Sequence, residues 1–246
     1  MKELELDRTY RRGEKAPGVR RIQEWLCLHG FNVVMDGDFG PATEHALKQY
    51  QARAGLPQTG AADAATFEEL TAPMKAALAR IKPEGRAFGG LVAAYARQHL
   101  QQHPRETGGQ NQGPWVRLYM DGNEGKDWAW CAGFATYCVQ QAAASLKLPM
   151  PVRRTFSCDL LARFARETGR FLSEPATRTE RKRLMPGSLL LKHQTPTDWV
   201  HTGIVIAVED EVIHTIEGNT NDEGSREGHE VCARIRGFQN MDFVLL

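Results

Sequence analysis

The chain has 246 residues, 41% of them hydrophobic and 25% charged, with a formal net charge of +1 at pH 7. So balanced a charge excludes the strong field of a nucleic-acid binder, and no run reaches the roughly 18 apolar residues of a membrane span. This length and composition suit one large domain or two small ones, either able to bury a core.

The opening MKELELDRTYRRGEK mixes acids, bases and leucine without the apolar centre of a secretory signal. The expectation is a soluble chain made in the cytoplasm, with no insertion into membranes. Residues 1–72 then predict a small helical unit. In PGVRRIQEWLCLHG, Val19, Ile22 and Leu26 fall at helical spacing between a starting proline and Gly30. Asp36-Gly37 and Gly40-Pro41 supply turn chemistry, and Thr43 precedes a second helix carrying Ala46, Leu47, Tyr50 and Gln51. A third, short helix follows Gly60. Residues 73–86, rich in Ala, Lys and Arg between Pro73 and Pro83, predict a helical linker.

From 87 to 246 the pattern is α+β. Helical runs GGLVAAYARQHLQQH, WCAGFATYCVQQAAASL and SCDLLARFARETGRF come first. After Pro186-Gly187 the segments SLLLKH, HTGIVIAVED, EVIHTIEGNT, HEVCARIRG and DFVLL read as strands of an antiparallel sheet. The expected fold is therefore an all-α three-helix domain joined to an α+β domain.

Five cysteines (27, 131, 138, 158 and 232) lack C-x-x-C spacing, so neither a disulfide framework nor a zinc knuckle is expected. Cys131 stands out because it falls at the start of its helix. There the dipole and unpaired N–H groups favour a thiolate and could hold an oxyanion. Cys138 falls about two turns further on among apolar residues, as a core thiol. A nucleophilic cysteine needs an imidazole, and the imidazole needs an orienting acceptor. If the hairpin HTGIVIAVEDEVIHTIEGN turns symmetrically about Asp210, His201 lies opposite Asn219 and diagonal to Glu217 on one sheet face. An even-numbered loop would shift the register and move Glu217 to the other face. His214 then points away from Glu217. It is read as a surface or packed residue, like His193, His229, His99 and His103 in their polar surroundings.

Two family resemblances gather these residues. Asp36, Gly37, Phe39, Gly40, Thr43, Ala46, Tyr50, Gln51, Gly55, Leu56, Thr59, Gly60, Thr66 and Leu70 match the signature of the three-helix bacterial peptidoglycan-binding domain. That resemblance implies peptidoglycan as partner, with Asp36, Phe39 and Tyr50 as candidate contacts. Residues 88–246, through GNEGKDWAWCAGFATYCV, HTGIVIAV and IEGNTN, resemble the CHAP domain of the papain-like superfamily. This second resemblance implies Cys131 as nucleophile, His201 as general base and then acid, Glu217 as orienter and Asn219 as an auxiliary polar group. No metal or other cofactor is required.

Two positions depart from the family pattern. Ser188 replaces the Asp of the usual P-G-D, and Gly125 stands where a papain-like oxyanion Gln would be, leaving Gln110, Asn111 and Tyr119 as substitute donors. The DGNE run at 121–124 is read as a solvated loop, with calcium binding as the alternative.

The implied function is hydrolysis of a peptidoglycan amide, by an endolysin or by an interbacterial effector with an immunity-protein partner. The alternatives are an inactive wall-binding protein and a thioester-based transpeptidase or transglutaminase.

Overall fold

The computed structural model describes residues 2–221 and 228–246. Helices α1 (Pro17–Leu28), α2 (Pro41–Arg53) and α3 (Ala64–Leu70) form the N-terminal unit. Val19, Ile22 and Leu26 of α1 close on Leu47 of α2 and on Phe67 and Leu70 of α3. Helix α2 starts earlier than expected, because Pro41 suits the first helical position. Thr43 is therefore inside the helix, where its Oγ1 accepts from Gln23 Nε2 at 3.1 Å.

Two buried glutamines fix the loops of this unit. Gln23 donates to Asp36 Oδ1 and the Asp38 carbonyl and accepts from the Gly37 N–H. Gln51 does the same for the second loop, bonding Thr66 Oγ1, the Ala61 carbonyl and the Gly60 N–H. Most of the motif residues thus hold the fold. Of the candidate peptidoglycan contacts, Phe39 is fully buried and Tyr50 is 4% exposed, while Asp36 is exposed. Aromatic rings matched to the motif were needed to fill a core this small.

The segment expected to be a helical linker is a packed element. Helix α4 (Ala72–Leu78) buries Met74 and Ala77, and residues 79–86 are not helical. Ala79 turns extended at ψ 132°, and Gln98 of the next helix donates to the carbonyls of Ala77 and Ala79. One apolar core runs from Tyr10 to Val244 through both halves, and Trp25 meets Trp115 edge-on across the junction at 6.2 Å.

The second half contains α5 (Phe88–Gln101), α6 (Pro114–Tyr119), α7 (Cys131–Leu146), α8 (Cys158–Glu167) and α9 (Glu174–Glu180). Its strands are β1 (Phe171–Leu172), β2 (Leu189–Thr195), β3 (Asp198–Val208), β4 (Ile213–Thr220), β5 (Glu230–Arg236) and β6 (Met241–Val244). Among the described residues they make one antiparallel sheet in the order β1-β6-β2-β3-β4-β5, with α7 packed on β3 and β4. The short β1 and α9 carry no strong pattern and were not anticipated.

The β3–β4 register decides which residues face α7. Near the turn, Val208 pairs with Ile213 and Ala207 with His214, the register of an even-numbered loop. A bulge then absorbs Ile206, so that Val205 pairs with Thr215 and Ile204 with Ile216. The extra residue restores the symmetric register beyond it and returns His201 and Glu217 to one face.

A charge cluster ties the two halves together. Arg117 of α6, 14% exposed at its side chain, bonds Glu3 at 2.8 Å, Glu24 of α1 at 2.6 Å and Glu124 at 2.8 Å. Burial opposes its charge, but its hydrogen bonds to Glu3 and Glu24 outweigh that and raise its pKa further. Arg117→Ala leaves three carboxylates without their shared cation and is expected to lower stability by about 3 kcal/mol or more in equilibrium denaturation.

Candidate active site

Helix α7 is rich in alanine and lies against the sheet, and Cys131 is its first residue, 5% exposed. Trp130 precedes it without a side-chain cap, so the first-turn N–H groups keep their outward-pointing dipole. Trp130 is fully buried with its Nε1 donating to Glu106 at 2.8 Å. Gly218 lets β4 approach this point: a Cβ there would stand 2.8 Å from both Trp130 and Phe134.

His201 on β3 and Glu217 on β4 meet at 2.8 Å, His201 Nε2 to Glu217 Oε2. They are 4% and 0% exposed. Glu217 lies across Gly203, where a Cβ would fall 2.4 Å from Glu217 Cγ. Any larger residue at 203 would push the carboxylate off the imidazole. The carboxylate has further partners. Thr215 donates to Oε1 at 2.6 Å, and Arg236 of β5 grips both oxygens, Nε to Oε1 at 2.6 Å and Nη2 to Oε2 at 2.5 Å. With Nε2 engaged by Glu217, His201 Nδ1 is the nitrogen left over, buried and without a hydrogen-bond partner.

Protonation follows from these contacts. The Cys131 thiol is pulled well below its ordinary value by the neighbouring Cys158 thiol, then, against the opposing effect of burial, by His201 and the Thr202 amide. His201 is pushed up to about 9: burial disfavours its charge, but Cys131 and Glu217 together outweigh burial. Glu217 is held down to about 2, since Arg236 and His201 outweigh its own burial. These opposite shifts favour a thiolate beside an imidazolium, a pair able to attack a carbonyl carbon and then to protonate a leaving group.

Of the other expected residues, Asn219 is buried at the β4–β5 bulge with φ 55°, in a left-handed conformation that asparagine tolerates. Cys138 is fully buried in α7, where desolvation raises its pKa. Two of the three substitute oxyanion donors are committed elsewhere. Asn111 Nδ2 bonds the Lys126 carbonyl at 3.2 Å, and Tyr119 bonds His99 at 2.8 Å; Gln110 is exposed. His99 is a packed histidine whose ring nitrogens meet the Tyr119 hydroxyl and Gln141 Oε1, each at 2.8 Å. It is fully buried among Trp115, Tyr119, Phe134 and Tyr137, and desolvation lowers its pKa to about 4.

In the 121–124 loop, Asp121 bonds Arg154 and Glu124 bonds Arg117, so its acids face two different arginines. The other expected surface histidines carry their own acids, His214 with Glu209, His103 with Glu230 and His193 with Glu174. A pocket of about 640 Å³, away from the thiol, is lined by Glu3, Arg117, Asp121, Tyr137 and Gln141.

Arg236, Thr215 and Cys158 were not singled out from sequence. Strand parity places Thr215 with Glu217, but only the β4–β5 register brings in Arg236.

Two tests follow from the protonation pattern. The pH dependence of iodoacetamide alkylation at Cys131 is expected to have its midpoint well below the 9.0 of an ordinary thiol, and His201→Ala is expected to raise it. Arg236→Ala removes the cation that Glu217 shares with His201. It is expected to raise the His201 pKa above that of the wild type, read from the alkaline limb of the same profile, because the carboxylate's whole charge then falls on the imidazole.

Comparison with known proteins bears on the first half of the chain. No curated protein matches the sequence. Residues 15–70 match the family model described as a putative peptidoglycan binding domain, a span that holds α1, α2 and α3 and ends before the thiol site. The chain thus carries a peptidoglycan-binding domain at residues 15–70.

Proposed function

We infer that the protein is a peptidoglycan hydrolase of the CHAP type, in which a papain-like thiol site cuts an amide of the wall to which the N-terminal domain attaches. The observation that carries this is the hydrogen-bonded row His201, Glu217 and Arg236 beside Cys131 at the start of a buried helix, with Cys131 and His201 each shifting the other's pKa. A core cysteine has no need of an imidazole backed by a carboxylate with two further donors. The peptidoglycan-binding domain at 15–70 supplies the substrate class.

The chemistry follows from the resting ion pair. The Cys131 thiolate adds to an amide carbonyl of the stem peptide, or of its link to the sugar. The N–H groups of the first turn of α7 face the oxyanion that develops. His201 gives its proton to the departing amine and leaves a thioester. Water then attacks with His201 as base, and the sulfur departs as thiolate, restoring the pair. Glu217 and Arg236 keep the imidazole oriented through both halves. The domain attached to the wall raises the local concentration of the scissile bond. As a phage endolysin or an interbacterial effector, the protein would be made in the cytoplasm and act outside it, an effector together with an immunity protein.

Digestion of purified peptidoglycan, with mass spectrometry of the released fragments, tests this reading. Wild type and Cys138→Ala are expected to release the same fragments, the latter with a stability loss of about 1 kcal/mol. Cys131→Ala is expected to release none while still sedimenting with the wall. Fragment release by Cys131→Ala at the wild-type rate would overturn the assignment. The new termini name the bond, and an amine adduct in place of a hydrolysed end would mark a transpeptidase.

A further inference from the structure

Cys158 is a second thiol held against Cys131. The two sulfurs lie 3.8 Å apart, and the residues are 7% and 5% exposed. Each is the first residue of its helix, Cys158 of α8 and Cys131 of α7.

Contacts around them build this approach. Arg154 Nη1 donates to the Gly133 carbonyl at 2.5 Å and to Thr136 Oγ1 at 2.8 Å. Thr136 Oγ1 also lies 3.0 Å from the Thr155 carbonyl. Trp128, just before Cys131, meets Phe156, just before Cys158, edge-on at 6.1 Å. The segment 154–158 is thereby clamped to the first two turns of α7 and to the loop ahead of it. The sulfurs are kept adjacent without a bond between them. A disulfide has a sulfur separation of about 2.05 Å, so closure brings them together by less than about 2 Å.

We propose that Cys131 and Cys158 form a redox pair, closed by a hydroperoxide to an intramolecular disulfide and reopened by a dithiol. In the first step the Cys131 thiolate attacks one oxygen of hydrogen peroxide. The O–O bond breaks, Cys131 becomes a sulfenic acid, and the departing hydroxide takes the His201 proton and leaves as water. In the second step the Cys158 thiol attacks the Cys131 sulfur. The S–S bond forms, the S–O bond breaks, and the hydroxyl leaves with the Cys158 proton as a second water. Two electrons pass from the two thiols to one peroxide. A dithiol reverses the change by exchange, becoming a cyclic disulfide itself. The depressed pKa of Cys131 makes it the sulfur oxidised first, and Cys158 spares it from deeper oxidation. The disulfide depends on the sulfur geometry alone; its effect on catalysis rests on the thiol-hydrolase reading.

Peptide mapping of the full-length protein tests the pair. Reduced wild type is treated with a small excess of hydrogen peroxide, alkylated under denaturing conditions, digested and analysed by mass spectrometry. The expected product is a Cys131–Cys158 cross-linked peptide that dithiothreitol removes, with Cys138 still fully alkylated. In Cys158→Ser the cross-link is expected to vanish and Cys131 to appear as sulfinic acid that dithiothreitol does not restore. Wild-type Cys131 recovered as sulfinic acid while Cys158 still alkylates would overturn the proposal. So would a cross-link from Cys131 to any other cysteine. Wall digestion by the same samples separates the two readings. Loss of fragment release on oxidation and its return with dithiothreitol support both. A reversible cross-link in a protein whose reduced form releases nothing supports the redox pair and removes the hydrolase.

Discussion

A carboxylate sealed from water destabilises a fold unless its charge is met on every side, and Glu217 is such a group. Its two oxygens receive an imidazole, a guanidinium and a hydroxyl from three different strands. Each partner places a demand on the chain. Strand β3 must give up a side chain at Gly203 so that the carboxylate can lie across it. The β3–β4 hairpin must insert Ile206 as a bulge so that His201 shares the face. The edge strand β5 must bring an arginine rather than a lysine, because both oxygens are held at once by a planar fork. The histidine held in this way joins the Cys158 thiol in lowering the pKa of the Cys131 thiol at the start of α7.

The loop that delivers Cys131 is fixed in a comparable way. Asp121 is held by Arg154, Glu124 by Arg117, and the Gly125 N–H by the Asn111 carbonyl at 2.6 Å. These charges and amides fix the position of Cys131 from within the chain. Arg154 also serves the opposite side of the site, since it bonds the Gly133 carbonyl inside α7. A single guanidinium thus links the loop before the helix, the helix itself and the segment leading to α8.

Much of this could be read from residues in a row. Proline and glycine punctuation with apolar spacing gave α1, α2 and the start of α7, since those signals act within a few residues. His201 and Glu217 could be paired only conditionally. Loop parity near Asp210 pointed the wrong way, and a bulge that no local signal marks corrected it. Arg236 was hidden because β5 follows a connection too long to fix a register by turn chemistry. Cys158 was hidden because its nearness to Cys131 is made by Arg154 and Thr155 through tertiary contacts. The segment after α3 misled because an alanine-rich helix has the same composition whether water or a core surrounds it. His99 could be read only as surface or packed for a related reason: polar neighbours in sequence say nothing about the helix face on which a residue falls.

The continuous core between the two halves has a mechanical consequence. Two modules on a flexible string can search any bond within the string's reach, so spacing is statistical. Here α4 is buried, Trp25 rests on Trp115, and Arg117 is shared between the halves. The matched domain at 15–70 and the Cys131 sulfur therefore belong to one packed body, like the jaws of a caliper. On the proposed hydrolase reading, such a tool would engage bonds of a repeating polymer at one distance and angle from its point of attachment. The regularity of the wall, rather than the length of a tether, would then set where it acts.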